Sequence, residues 1–199
     1  MRWWRAKSLR LMASNFRTTC RRQSTFGGTA NSNDDMDRFV TSIAKFDGRI
    51  LERGFWLYVW TVSSPVGDVL YVGRTGDSSS GFASSPFSRL GQHLDLKVGA
   101  KANSLLKNLR AAKIDPLLCT FEMFAIGPLF LEQRDLAEHR KRRDKLAALE
   151  FALAQRLGEN GYRVLGTHGC LKPLDRRLFN KVIAIADAQF PDLQLTRNH

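Results

Sequence analysis

The stretch from Phe55 to Gly73, FWLYVWTVSSPVGDVLYVG, constrains the fold more than any other part of the chain. Its two arms are almost wholly aromatic or β-branched, and Ser63-Ser64-Pro65-Val66-Gly67-Asp68 between them carries turn chemistry, so the stretch predicts an antiparallel hairpin. With Tyr58 set opposite Tyr71, the loop closes over residues 63–66. Both phenols then leave the same face of the sheet, because paired residues project together. Gly73 marks a place where the chain turns or where another group approaches the backbone closely. The small-residue run RTGDSSSGFASS that follows is long for a compact domain and is therefore mobile or functional. Pro86 then starts a helix, in which Arg89 and His93 fall one turn apart on one side. Two tyrosines, an arginine and a histidine are thus able to converge.

The supporting chain is large enough for this. With 199 residues, 43% hydrophobic and 10% aromatic, it can build one ordinary core plus a tail, which excludes wholesale disorder. No apolar run approaches the ~20 residues that cross a bilayer, so the expectation is a soluble protein without a membrane partner. Cys20, Cys119 and Cys170 are odd in number and widely spaced, which suggests neither a disulfide framework nor a cysteine zinc site and makes a reducing compartment the default. The net charge of +12 and pI near 10.2 point to a polyanionic partner, nucleic acid being the commonest. That charge is uneven. Arg2, Arg5, Lys7, Arg10, Arg17, Arg21 and Arg22 stand before Asn33 without one acid.

Residues 1–33 therefore read as a basic leader dispensable for folding: an organellar presequence, a flexible arm, or codons upstream of a true start at Met12 or Met36. The location follows from that choice, cytoplasmic in a bacterium and mitochondrial if the leader is a presequence. Residues 34–199 read as a single domain with its core at 55–165. Residues 37–53 predict a short amphipathic helix with Phe39, Ile43 and Phe46 on one face. Further helices are expected at 86–96 and 102–112, the second opening at Asn103 or Ser104 with Leu105, Leu106 and Leu109 inward. A third strand is expected from Leu117 to Ile126, stopped by Gly127-Pro128. From Leu131 to Leu157 the chain is helical, as one helix or as two joined by a bend. Its first part is charged enough to be a solvated face; its second bears the stripe Leu146, Leu149, Leu153, Leu157, with Glu150 at the margin. A carboxylate there must be paired, bound to metal or turned into a cleft. Tyr162–Leu165 can add an extended segment, and a last helix is expected at 174–188. His139 and His199 lie in polar surroundings that predict solvation; His168, in a GTHG loop, has no assigned role. The fold class is α/β in the α+β sense, a small antiparallel three-stranded sheet flanked by helices.

This arrangement resembles the GIY-YIG nuclease superfamily. Leu57-Tyr58-Val59 stands for the first tripeptide and Tyr71-Val72-Gly73 for the second. Arg89 and His93 look like the helix-borne arginine and the residue one turn after it, and Glu150 in ALEFAL looks like the metal-binding glutamate. The resemblance covers roughly residues 55–165. It departs from the pattern in three places: leucine at 57 in place of glycine, a longer gap between Tyr71 and Arg89, and no clear late asparagine, Asn160 coming early and not counted as catalytic.

What the resemblance implies is a metal-dependent endonuclease acting on DNA. Tyr58, Tyr71, Arg89, His93 and Glu150 would be catalytic, Glu150 holding Mg²⁺ or Mn²⁺, Arg89 clamping the phosphate and Arg74 contacting nucleic acid. Hydrolysis of a phosphodiester needs an activated water, stabilised charge on the nonbridging oxygens and help for the leaving oxygen, and these residue types supply all three. An isolated phenol with a pKa of about 10 is a poor base at neutral pH, so Tyr58 needs help from Tyr71 or His93, and any of the three could take the proton. The competing readings are a nucleic-acid-binding module of the same fold that no longer cuts, and a basic structural protein in which the motif is coincidental. Tight sequence specificity would require a homodimer or a specificity-conferring partner.

Overall fold

The computed structural model describes residues 40–76, 82–166 and 168–193. The chain divides into two units, Met1–Ala44 and Lys45–His199. Of the first, only 40–44 are described, without regular structure; the basic leader lies outside the described residues. The second unit contains, in order, strands β1 (Gly54–Ser64) and β2 (Gly67–Arg74), helices α1 (Pro86–His93) and α2 (Ser104–Ala111), strand β3 (Thr120–Leu131), helix α3 (Leu136–Glu159), strand β4 (Val164–Leu165) and helix α4 (Arg176–Gln189).

The sheet has four strands in the order β3-β1-β2-β4 and is mixed. This corrects the expectation of three antiparallel strands: β1 pairs antiparallel with β2 and β3, whereas β4 joins β2 in parallel through Leu70↔Val164 and Tyr71↔Leu165. A crossover is needed between parallel neighbours, and α3 is part of it. Central strand β1 is buried from Phe55 to Trp60 because both faces of the sheet are covered. Phe55, Leu57, Val59, Leu70 and Val72 pack against the stripe Leu146, Leu149, Leu153 and Leu157 of α3 and against Val182 and Ala186 of α4. Tyr58, Trp60, Val62, Val69 and Tyr71 share the other core with Leu105, Leu106 and Leu109 of α2.

The hairpin register differs from the expected one by two residues. Tyr71 lies opposite Trp60 and Tyr58 opposite Gly73, and the turn is the two-residue Pro65-Val66. Proline fixes its own φ, Ser64 Oγ accepts the Val66 N–H at 3.3 Å, and Gly67 adopts φ +107°, so the tight turn is locally satisfied. An even shift preserves the face, and the two phenols still project together. At the far end Thr75 ties the strands: its Oγ1 accepts from Trp56 N at 2.8 Å and donates to the Gly54 carbonyl at 2.5 Å.

Two other expectations change. The amphipathic helix at 37–53 is absent over its described part, where only a 3₁₀ turn at Gly48–Leu51 forms, begun by Asp47 capping Arg49 N. Phe46 instead packs on Phe87 of α1, ring centroids 5.0 Å apart. Strand β3 does not stop at Gly127-Pro128. Its pairing with β1 jumps from Phe55↔Phe130 to Leu57↔Ile126, so the proline, which has no N–H to give, sits in an irregularity on an edge strand. Among the described residues no helix is long and apolar enough to cross a membrane.

Candidate functional site

Tyr58 sits at the middle of β1 with its ring laid across Gly73. A Cβ at position 73 would come within 2.4 Å of Tyr58 Cε2 and 2.8 Å of its hydroxyl, so only glycine leaves room for the phenol. The hydroxyl is wholly buried and surrounded by partners. It lies 2.7 Å from His93 Nε2, donates to the Arg74 carbonyl at 3.0 Å, and receives Arg89 Nε at 3.5 Å. A phenol has one proton, so when Arg74 takes it, His93 Nε2–H must donate to the phenol; when His93 takes it, the carbonyl contact lapses. Burial pushes the Tyr58 pKa up, with the Arg89 guanidinium opposing and Tyr71 and Glu150 reinforcing.

Helix α1 supplies Arg89 and His93 from one side of its only full turns. Ser85 caps it, Oγ accepting Ser88 N at 3.2 Å, and Pro86 occupies the first turn. His93, nearly fully buried, stands between the two tyrosines, with ring centroids 5.6 Å from Tyr58 and 5.4 Å from Tyr71. Arg89 also reaches Gln92 Oε1 at 2.9 Å.

Glu150 comes from the middle of α3. Its Oε2 accepts Arg74 Nε at 2.7 Å, and each side chain keeps about a fifth of its surface exposed. The pair stands in the wall of a cleft of about 380 Å³, which Tyr71, Ser104, Asn108 and His168 also line. Tyr58, Arg89 and His93 do not line it. Tyr58 and His93 are buried behind it and Arg89 is half-buried beside them; this group is joined to the cleft by the Tyr71–His93 ring contact and by Arg74, whose carbonyl meets Tyr58 while its side chain meets Glu150.

Ser104, Asn108 and His168 are cleft residues that sequence reasoning missed. Asn108 Nδ2 donates to the Ser104 carbonyl at 2.9 Å, and the two lie one turn apart on α2, off its leucine face. That polar pair beside three inward leucines was the available signal. His168 Nε2 is 3.3 Å from the Leu165 carbonyl and its ring is 6.4 Å from Tyr71. Nothing in the GTHG composition marks it, since the parallel β4 brings that loop alongside β2. Asn160 is elsewhere: it ends α3, is buried, and its Nδ2 lies 3.5 Å from Asp187 Oδ1 of α4.

His139 is buried, not solvated, its ring 5.0 Å from that of Phe55. The opening turns of α3 lean on the sheet, with Arg142 over the Phe130 ring at 5.0 Å, so the charged run hides one packed side. His199 lies outside the described residues.

Among the described residues no three His, Cys, Asp or Glu side chains stand together. A dehydrated, protein-caged ion needs more protein donors than this, whereas Mg²⁺, where bound, keeps most of its water and takes one or two carboxylates. Glu150, about a fifth exposed at the cleft wall, is the carboxylate there that would hold such an ion, in competition with Arg74. Comparison of the chain with protein-family models, with curated proteins and with solved structures finds no match.

Proposed function

We propose that this protein is a metal-dependent endonuclease of GIY-YIG type that hydrolyses DNA phosphodiester bonds. The observation that carries the reading is the Tyr58 hydroxyl held at 2.7 Å from His93 Nε2 with Arg89 beside it, coupled through Arg74 to Glu150 at a polar cleft. Glu150 would hold the Mg²⁺ or Mn²⁺, which supplies positive charge for a phosphate oxygen and for the leaving 3′ oxygen.

The chain's own residues divide the rest. Arg89 and Arg74 present guanidiniums to the phosphate, a charge-assisted contact whose planar geometry suits its oxygens. Neutral His93 accepts the Tyr58 proton at Nε2 as the phenol takes one from water, so the free phenolate that burial disfavours does not have to accumulate. Arg89, whose Nε lies 3.5 Å from the Tyr58 hydroxyl, would place the phosphate it clamps beside that hydroxyl.

The second reading, a nucleic-acid-binding module that does not cut, draws on the same pair: Glu150 is already engaged by Arg74. The two readings part on one experiment. Supercoiled plasmid and a panel of branched DNAs are incubated with the protein in Mg²⁺, Mn²⁺ or chelator, beside Glu150→Gln. Cleavage that needs the metal and falls about a hundredfold or more in Glu150→Gln, with DNA affinity kept or raised, supports the nuclease. Binding without cleavage under every condition supports the module, and wild-type cleavage by Glu150→Gln in Mg²⁺ removes Glu150 as the ligand.

A further inference from the structure

We infer that the concave basic surface formed by Lys97, Lys101, Lys107 and Arg110 is a second phosphate-backbone site, holding the DNA duplex beside the strand engaged in the cleft; this rests on the DNA reading above. The four cations surround a hollow of about 480 Å³ that, among the described residues, no acidic side chain lines. Its shape is fixed by main-chain and side-chain bonds: Lys107 Nζ donates to the Lys101 carbonyl at 3.2 Å, Asn103 Nδ2 to the Asp95 carbonyl at 3.2 Å, and Ala100 N to the Lys97 carbonyl at 3.1 Å. The neighbouring acid, Asp95, is occupied in this scaffold, accepting Lys97 N at 2.8 Å. Like charges gathered in a concavity repel one another and focus a positive field, an arrangement that an anion relieves.

Placement decides which anion. Helix α2 is the wall between the hollow and the cleft. Ser104 and Asn108 face the cleft, Lys107 and Arg110 face the hollow, and the leucines face the core. A helix is about 10 Å across, so two sites on neighbouring faces of α2 lie within reach of one stretch of DNA backbone, which carries a phosphate every ~3.4 Å of axial rise. A backbone with its target phosphate in the cleft therefore passes over the hollow. The start of α2 adds to the attraction: Asn103 turns its amide to the Asp95 carbonyl and makes no side-chain cap, so the positive end of the helix dipole is not offset by that residue, which itself lines the hollow.

The test is binding of a labelled DNA duplex to the full chain, in chelator, over a salt series. Lys97→Ala/Lys101→Ala/Lys107→Ala is compared with Arg176→Ala/Arg177→Ala/Lys181→Ala, which removes the same charge from exposed positions on α4, against the opposite face of the sheet. The hollow variant should bind about tenfold or more weakly, and its plot of log affinity against log salt should flatten by about two, as for loss of two phosphate contacts; the α4 variant should keep the wild-type slope. Equal losses in both variants would mean diffuse charge and overturn the site, as would a wild-type slope in the hollow variant. If the unsubstituted chain binds no DNA at all, the DNA reading falls and takes this inference with it, an outcome distinct from binding with an unchanged slope.

Discussion

Tyr58 and Gly73 define one another across the hairpin, and the pairing decides what each can tolerate. Gly73→Ala would place a methyl 2.4 Å from the Tyr58 ring, which has no free space to retreat into. The expected outcome is a loss of about 1–3 kcal/mol in urea unfolding and, on the proposed function, loss of the metal-dependent DNA cleavage as the phenol leaves His93. The same burial predicts a pH signature. Because the folded pKa of Tyr58 is raised, the native chain keeps the phenol proton above pH about 10, where the unfolded chain has lost it, so this stability is intact below about 10 and drains as pH climbs, by about 1.4 kcal/mol per pH unit. The stability gap between wild type and Tyr58→Phe should therefore shrink between pH about 9 and about 12; a constant gap would mean that the phenol is not held protonated. At this scale the gathering of Tyr58, Tyr71, Arg89 and His93 could be read from their spacing. Their depth could not: periodicity shows which face a tyrosine takes, whereas its burial depends on α1 closing over it, an encounter of residues far apart in the chain.

Elements were legible in proportion to how local their causes are. Helix α1 announces itself through Ser85 and Pro86, and α2 through its three leucines, because caps and stripes act within a turn or two. Where the sequence left one helix or two open between 131 and 157, the structure gives one 24-residue helix, begun by Asp135 accepting Glu138 N. Continuity here comes from packing along its whole length, His139 on Phe55 and Leu157 in the core, which no local signal records. Strand β3 shows the converse: Gly127-Pro128 is a strong stop signal, overridden because β1 supplies partners on both sides of the irregularity. Strand β4 is two residues long, and its pairing with β2 is wholly non-local. The failed helix at 37–53 had apolar spacing but met Asp47-Gly48, whose side-chain cap and flexibility favour a tight turn.

At the scale of the molecule, one sheet serves two cores. Leu149, under one face, and Trp60, under the other, never meet, yet both depend on β1. Leu149→Ala should cost about 2–5 kcal/mol, and the shift in midpoint should be the same whether followed by helical circular dichroism or by tryptophan fluorescence; separate transitions would show that the faces unfold independently. The near-unbroken hydrophobic run of β1 carried this two-sided burial in the sequence, but the elements that cover each face are set by topology. The Arg74–Glu150 contact has a consequence of its own. Each partner is a ligand the other must give up: a cation drawn to Glu150 has Arg74 as its rival, and an anion drawn to Arg74 has Glu150. On the proposed function each visitor would release the half of the pair that the second one needs, and by thermodynamic reciprocity the two would tighten each other's hold by the same factor.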